Sequence, residues 1–188
     1  MMDRQWTGVV LAGGQSSRMG RDKALVEIEG RTMLDRGIEL LRPHVREVLV
    51  VGDPTKYTTT HGTVIPDEEP GLGPLGGLVT ALKRARYVRL LVIACDLPNL
   101  NDRLMVRLKL ALDEGHDAVV PKHEGLIEPL AGAYHRRSVD AFEVCLRQRT
   151  LKMSDALAKV RTTWLDVRPG EDRWPKELFR NVNSPSDL

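Results

Sequence analysis

Runs of apolar and β-branched residues alternate along this chain with segments in which apolar residues recur at helical spacing. The apolar runs predict strands at Gly8–Leu11, Glu47–Val51, Thr63–Ile65, Leu90–Ala94 and Ala118–Val120. Helical spacing predicts helices at Thr32–Leu41, Leu78–Ala85 and Asp102–Leu112. Strands that alternate with helices are typical of an α/β fold with a largely parallel sheet.

The alternation is less regular beyond Pro121. The pattern there predicts strands at Leu130–Tyr134 and Thr163–Val167, with helices at Ser138–Leu146 and Ser154–Val160. A final helix is predicted to begin at Ser184-Pro185, with serine as the cap and proline in the first turn. The sequence contains no repeat, low-complexity tract or linker, so we expect residues 1–188 to form a single domain.

Composition excludes several classes of protein. The chain is 41% hydrophobic and 29% charged, an ordinary globular balance. Its net charge of +2 is not concentrated in a basic run, so we expect no nucleic-acid partner. No apolar stretch approaches the ~20 residues of a membrane span, and no secretory signal is evident, so we expect a cytoplasmic protein without a membrane partner. Two isolated cysteines, Cys95 and Cys145, form neither a disulfide framework nor a metal quartet.

The most informative segment follows the first strand, where a glycine-rich turn leads to two basic residues. Gly13 and Gly14 allow the backbone to approach a ligand closely and to direct N–H groups at anionic oxygens. Arg18 and Lys23 add positive charge, the arginine as a planar fork and the lysine as a point charge. An ordinary glycine turn is the alternative, but the preceding strand and the two cations favour a polyphosphate site.

Spacing excludes two better-known phosphate loops. The dinucleotide fingerprint requires G-x-G-x-x-G after the first strand, which Gly13-Gly14-Gln15 does not supply. The P-loop places lysine directly after its last glycine, whereas Arg21-Asp22 separates Gly20 from Lys23. The segment is therefore a phosphate loop of a different type.

Further polar residues follow other predicted strands. Asp67 and Asp96 each come just after a strand, and parallel α/β sheets bind ligands at the carboxyl ends of their strands. Asp96 has the chemistry of a Mg²⁺ ligand, although a turn or capping role explains it equally well from the residue alone. Asp67 opens an acidic run that is also typical of a solvated loop. Gly71–Gly76 matches G-x-G-x-x-G but follows an acidic turn, so it does not predict a dinucleotide site.

The run L-A-G-G-x-S-x-R-M-G-x-D-K at Leu11–Lys23 resembles the signature of the molybdenum cofactor guanylyltransferases, small members of the nucleotidyltransferase clan. The resemblance continues through Gly73–Gly77, Cys95–Pro98, Glu128–Leu130 and Asn181–Leu188, and so covers nearly the whole chain. It implies a Rossmann-like three-layer α/β sandwich of the nucleotide-diphospho-sugar transferase type, with a mostly parallel sheet.

The resemblance also implies an activity, the transfer of GMP from GTP to molybdenum-bearing molybdopterin. It implies catalytic roles for Arg18, Lys23 and Asp96, with Asp96 holding Mg²⁺. The implied nucleotide-binding residues are Leu11, Ala12, Gly13, Gly14, Lys23, Asp53, Asp67, Gly73 and Asp96, and the implied acceptor-binding residues are Asn181 and Asn183. Asp53 departs from the family, which often has asparagine there, although a carboxylate also accepts hydrogen bonds from guanine.

The resemblance implies that GTP and molybdenum-molybdopterin are the substrates. It also implies two candidate partners, the molybdenum-insertion protein and molybdoenzyme chaperones. Three other functions are compatible with the same fold. A cytidylyltransferase for the same pterin tends to carry L-A-A-G where this chain has Leu11–Gly14, and it lacks the G-P-L-x-G turn. Sugar-phosphate nucleotidyltransferases continue G-T-R-L and usually carry a longer sugar domain. A non-catalytic GTP-binding relative would be marked by loss of Lys23 or Asp96, and both are present.

Overall fold

The computed structural model describes residues 5–12, 22–112 and 115–182. Strands and helices follow one another in the order β1 (Trp6–Leu11), β2 (Glu27–Ile28), β3 (Arg31–Thr32), α1 (Met33–Leu41), β4 (Glu47–Val51), β5 (Thr63–Ile65), α2 (Gly73–Arg84), β6 (Arg89–Ala94), α3 (Asp102–Leu112), β7 (Ala118–His123), β8 (Leu126–Ile127), β9 (Ala131–His135), α4 (Val139–Arg147), α5 (Met153–Leu157) and β10 (Thr162–Asp166). Short 3-10 helices lie at Lys23–Leu25, Arg42–His44 and Arg136–Ser138.

The main sheet has the strand order β10-β7-β9-β6-β1-β4-β5, with β8 paired to β7 at one end. Strand β1 is central and runs parallel to both neighbours, so that Val9 lies beside Leu49 on β4 and Val92 on β6. Among the described strands of this sheet, only β9 and β8 run in the opposite direction, since β9 is antiparallel to both β6 and β7. The sheet is therefore mostly parallel, as the alternation of elements predicted.

Helices cover both faces of the sheet and complete three layers. Alternate residues of β1 divide between two cores, with Val10 in one and Val9 in the other. Helices α1 and α3 pack on the Val10 face, whereas α2, α4 and α5 pack on the Val9 face. A strand buried on both sides has to be apolar throughout, which explains the continuous run in β6. No helix in the described ranges has the length and apolarity needed to cross a membrane.

The structure corrects several predicted boundaries. Helix α2 begins at Gly73 rather than Leu78, because Pro74 occupies the first turn and its fixed φ favours helix initiation there. Strand β7 continues to His123 and turns back into β8, a hairpin that the sequence pattern did not predict. Helix α5 ends at Leu157, three residues before the predicted end. The helix predicted at Ser184-Pro185 lies outside the described residues.

Candidate active site

The carboxyl ends of the parallel strands bring the sequence motifs to one edge of the sheet. The backbone N–H of Ala12, just after β1, donates to the Val51 carbonyl on β4 at 3.0 Å. On the other side, the Cys95 N–H donates to the Leu11 carbonyl at 3.2 Å. The residues that follow β1, β4 and β6 are therefore direct neighbours. The positions of the motifs after parallel strands predicted that they meet at one edge, and Asp96, at the end of β6, lies at this edge.

Lys23 and Asp96 form the central pair of charged groups at this edge. Lys23 Nζ lies 3.6 Å from Asp96 Oδ2, and both side chains are about one quarter exposed, at 22% and 26%. One residue comes from the end of the glycine-rich segment and the other from the end of β6. Partial exposure leaves both groups accessible to a charged ligand. Gly13, Gly14 and Arg18, which the sequence also places in this site, lie outside the described residues.

Two further residues hold the segment that carries Lys23, and sequence reasoning missed both. The Asp22 Oδ1 atom accepts a hydrogen bond from the Ala24 N–H at 3.1 Å and caps the short helix Lys23–Leu25. The buried Tyr57 hydroxyl lies 2.7 Å from Asp22 Oδ2 and 3.0 Å from the Ala12 carbonyl oxygen. Asp22 stands inside the glycine-rich motif, so the motif itself was a signal. No pattern in the sequence marks Tyr57.

Cys95, at the end of β6, is buried beside charged groups of the candidate site. Burial raises the pKa of the Cys95 thiol to about 12, and the negative charges of Asp96 and then Asp22 contribute further. Lys23 acts in the opposite direction but does not cancel them. Two carboxylates thus act on one buried side chain at the end of the central strands.

The first two carboxylates of the acidic loop after β5 have different partners. Asp67 Oδ1 accepts from the Glu69 N–H at 2.9 Å and from the buried Thr80 hydroxyl at 3.0 Å. These two bonds fix the side chain and leave Oδ2 without a partner among the residues that the structure describes. Glu68 instead pairs with Arg84 at 2.6 Å. Asp67 is therefore held within its own loop and against α2, whereas Glu68 is engaged in an ion pair with the end of α2.

The turn that leads into α2 depends on glycine. Gly71 and Gly73 have φ values of +81° and +68°, a conformation in which other residues are strained. A Cβ atom at Gly76 would lie 2.7 Å from the Glu69 carbonyl oxygen, so the loop packs directly against the helix backbone. Gly73 therefore stands at the start of α2, with its backbone open on the side where a Cβ would project.

Asp53 has a local role in the structure. Its Oδ1 accepts from the Thr55 N–H at 2.9 Å and from the Thr55 hydroxyl at 2.7 Å, while Oδ2 lies 3.9 Å from Lys56 Nζ. Hydrogen bonds from Thr55 hold the pKa of the Asp53 carboxyl below its usual value. Asp53 stands at the correct strand end but is engaged in its own turn, so its contact with a base is the least supported of the predicted roles.

The C-terminal segment returns to the same edge and lies beside Asp96. The Val182 N–H donates to the Asp96 carbonyl oxygen at 3.0 Å, which brings the exposed Asn181 next to the end of β6. Phe179 anchors this segment by stacking on His123, with ring centroids 4.6 Å apart. His123 in turn lies 2.8 Å from Glu128, so it is a packing residue. Asn183 lies outside the described residues.

The donor set is compatible with a Mg²⁺ ion that is shared with a substrate. In the described part of the chain, no three His, Cys, Asp or Glu residues converge as a complete metal site. Mg²⁺ does not need such a cage, because it commonly binds one or two carboxylates together with substrate phosphates. Asp96 supplies a partly exposed carboxylate beside Lys23. This carboxylate could therefore hold a divalent cation that is shared with a substrate phosphate.

Comparison with known proteins agrees with this geometry. A family model for the MobA-like NTP transferase domain matches residues 8–162. Two relatives carry the name "Probable molybdenum cofactor guanylyltransferase". The relative from Geobacillus sp. is 32% identical over 188 residues, covering 96% of this chain and 95% of its own length. The relative from Pelotomaculum thermopropionicum is 37% identical over 186 residues, covering 98% of this chain and 90% of its own length.

Solved structures extend the comparison to the fold. Molybdopterin-guanine dinucleotide biosynthesis protein A from Archaeoglobus fulgidus is 26% identical, with a TM-score of 0.79 and coverage of 96% of this chain and 94% of that one. The 2-C-methyl-D-erythritol 4-phosphate cytidylyltransferase from Thermus thermophilus is 18% identical, with a TM-score of 0.69 and coverage of 96% of this chain and 94% of that one. The predicted fold class, that of the nucleotide-diphospho-sugar transferases, is confirmed.

Proposed function

The chain belongs to the MobA-like NTP transferase family, and from that premise we propose that it transfers GMP from GTP to molybdenum-bearing molybdopterin, releasing pyrophosphate. The observation that carries the proposal is the approach of Lys23 to Asp96 at the carboxyl ends of β1 and β6. That pair combines a cation for phosphate oxygens with a carboxylate for a metal ion, at the edge where α/β sheets bind nucleotides.

The proposed reaction joins two phosphates. A terminal phosphate oxygen of the acceptor attacks the α-phosphorus of GTP in line and forms a new P–O bond. The bond between the α-phosphorus and the oxygen that bridges to the β-phosphate breaks, and pyrophosphate leaves with the electron pair. A phosphate monoester has a second pKa of about 6, so the nucleophile is already largely ionised at pH 7. Such a site requires positioning and positive charge rather than a general base.

Each motif has a role in this proposal. Lys23 and Arg18 neutralise the triphosphate, because cations aimed at developing negative charge stabilise the transition state. The backbone of Leu11–Gly14 lies along the phosphates, and Gly73 with Asp67 borders the guanine. Asn181 and Asn183 orient the acceptor, since an amide side chain both donates and accepts hydrogen bonds without adding charge.

Asp96 is the proposed ligand of the divalent cation, which we take to be Mg²⁺. When bound, the ion adds positive charge to the phosphate oxygens. The role of the chain is to hold the Asp96 carboxylate at a fixed strand end. The Val182 N–H and the Lys23 ammonium group both contact Asp96, so its backbone and its side chain are restrained from two sides.

Nucleotide-dependent thermal stability tests this function directly. A ligand that binds only the folded state adds about 2.7 kcal/mol at a hundredfold excess over Kd. For a chain of this length, that corresponds to a rise in melting temperature of roughly 5–10 °C. We expect this shift with GTP and Mg²⁺, and not with CTP, ATP or UTP. A shift with CTP alone would change the product to a cytosine dinucleotide, and no shift with any nucleotide would contradict the proposal.

Two variants test the roles proposed for Lys23 in turnover and for Asp96 in Mg²⁺-dependent GTP binding. We expect Lys23→Ala to lower turnover by at least about a hundredfold, the usual effect of removing one charge-stabilising donor. Asp96→Asn should abolish the Mg²⁺ dependence of GTP stabilisation. Lys159→Ala is a matched control, because this exposed lysine lies between α5 and β10 at the opposite end of the strands. Pyrophosphate release by Lys23→Ala at the control rate would refute the assignment.

A further inference from the structure

We propose that Tyr57 is a positioning residue for GTP, because its hydroxyl contacts both Asp22, which directly precedes Lys23, and the backbone at the end of β1. The inference rests on the proposed function, since Lys23 is assigned to the triphosphate. Ala12 directly follows β1, and Asp22 caps the short helix Lys23–Leu25. Both lie within hydrogen-bonding distance of the same hydroxyl group, at 3.0 Å and 2.7 Å.

The Tyr57 side chain is held firmly enough to act as an anchor. The residue is 5% exposed and belongs to the core on the α1 and α3 face. A Cβ atom at Gly52 would lie 2.5 Å from Tyr57 Cε2, so the ring fills the space that this glycine leaves at the end of β4. Burial, and then the hydrogen bond to Asp22, hold the pKa of the phenol well above its usual value, so Tyr57 remains a donor at every physiological pH.

The shorter of the two contacts identifies the stronger bond. A hydroxyl group has one proton, and hydrogen bonds to an ionised carboxylate are roughly twice as strong as those between neutral groups. The proton is therefore directed mainly at Asp22 Oδ2, which lies closer than the Ala12 carbonyl oxygen. Tyr57 thus acts chiefly through Asp22, and the Ala12 carbonyl shares the same proton as the weaker arm of a three-centre hydrogen bond.

Asp22 transmits this restraint to the proposed catalytic lysine. Its other carboxylate oxygen accepts from the Ala24 N–H and caps the short helix Lys23–Leu25. Lys23 is the first residue of that helix, and its ammonium group lies 3.6 Å from Asp96. A continuous set of contacts therefore runs from Tyr57 through Asp22 to the helix of Lys23. The hydroxyl of Tyr57 fixes where the lysine meets the phosphates.

Tyr57→Phe is the decisive variant, because it keeps the buried ring and removes only the hydroxyl. We expect GTP·Mg²⁺ to bind about three- to tenfold more weakly, because the bound state must then reorder Lys23 without this hydrogen bond, and the contribution of one such bond limits the effect. The KM for GTP should rise by a similar factor while the KM for the acceptor is unchanged. A purely structural defect would reduce the fraction of active protein, which lowers kcat but moves neither the Kd nor either KM.

Thr7→Val is the matched control for stability. Thr7 is fully buried on the strand that precedes the glycine-rich segment, and its hydroxyl donates to Glu47 at 2.6 Å at the opposite end of the sheet. Both substitutions remove one buried hydroxyl without removing the side chain's bulk, so both are expected to lower the melting temperature. Only Tyr57→Phe is expected to weaken GTP binding. Equal effects of the two variants on GTP affinity would overturn the inference.

A double-mutant cycle with Asp22→Ala tests the route of the coupling. If Tyr57 acts through Asp22, the double variant binds GTP no more than about twofold more weakly than Asp22→Ala alone. Fully multiplicative effects would overturn that route. If the wild-type chain fails to bind GTP·Mg²⁺ by calorimetry, both the proposed function and this inference are overturned. If the wild type binds and Tyr57→Phe binds equally well, only the inference is.

Discussion

Gly76→Ala is expected to destabilise the protein and to weaken GTP binding, although alanine is the better helix former. The added Cβ would lie 2.7 Å from the Glu69 carbonyl oxygen, well inside an ordinary van der Waals contact of 3.4 Å or more. That carbonyl cannot turn aside freely, because it accepts the Leu72 N–H at 3.3 Å in the turn before α2. The loop between Asp67 and Gly73 must therefore move away from the helix.

The magnitude follows from two opposing effects. Forcing an extra methyl group into a packed site typically costs about 1–3 kcal/mol. Replacing glycine by alanine in a helix returns roughly 0.5–1 kcal/mol. Because the clash is with a backbone oxygen, we expect the upper part of the resulting range of about 0–2.5 kcal/mol, a net loss of more than about 1 kcal/mol in the free energy of unfolding, measured by urea denaturation. Because the displaced loop carries Asp67, GTP affinity should fall in the same variant.

Gly77→Ala is the control at the next position of the same helix. Its Cβ would meet only side-chain atoms, Leu11 Cδ2 at 3.3 Å and Val51 Cγ1 at 3.7 Å, which can shift by a few tenths of an ångström. The helical gain offsets that adjustment, so stability should stay within about 0.5 kcal/mol of the wild type. If Gly76→Ala proves as stable as Gly77→Ala, the packing argument is wrong.

Three other predictions concern separate parts of the chain. Partial burial raises the pKa of Asp117, but hydrogen bonds from Arg161 and Arg137 outweigh it and hold that pKa well below its usual value. Asp117→Asn should therefore cost about 1–2 kcal/mol at pH 7, a difference that urea denaturation should show shrinking as the pH falls below about 4. Thr32→Ala should cost about 1 kcal/mol by removing the cap of α1, and Thr32→Ser should restore most of it, as thermal unfolding would show. Asn181→Ala should raise the KM for the acceptor while the Kd for GTP is unchanged, and a weaker GTP affinity would count against its assignment.

Much of the fold is predictable from the sequence, because strand and helix periodicities are strong in its first two thirds. Strands β4 and β5 and helix α3 have the predicted bounds. The β7–β8 hairpin is harder to predict because its second strand has only two residues, too few for a periodic pattern. The start of α2 is misjudged for a similar reason, since the Gly73-Pro74-Leu75 sequence looks like a turn until the rest of the helix is seen.

The residues of the candidate site also divide into those that the sequence predicts and those that it does not. Asp67 and Asp96 are predictable because they follow strands whose carboxyl ends must meet at one edge. Tyr57 is not predictable, since its partner Asp22 lies 35 residues away and meets it only after the strands have paired. Asp53 shows the converse, a residue at a correct strand end whose side chain is bonded to its own turn. Position along a strand can be read from a sequence, whereas the partner of a side chain depends on packing.

The late position of β9 in the sequence has a consequence for folding during synthesis. Once synthesis has passed Ala94, β1, β4, β5 and β6 are all available and can pair with one another. The outer edge of β6 is different, because β9 covers it and does not begin until Ala131. Until that strand emerges, a nascent chain presents the apolar run Leu90–Ala94 with unpaired backbone groups, which favours aggregation. Completion of β9 therefore removes an exposed sheet edge that persists throughout the synthesis of α3 and β7.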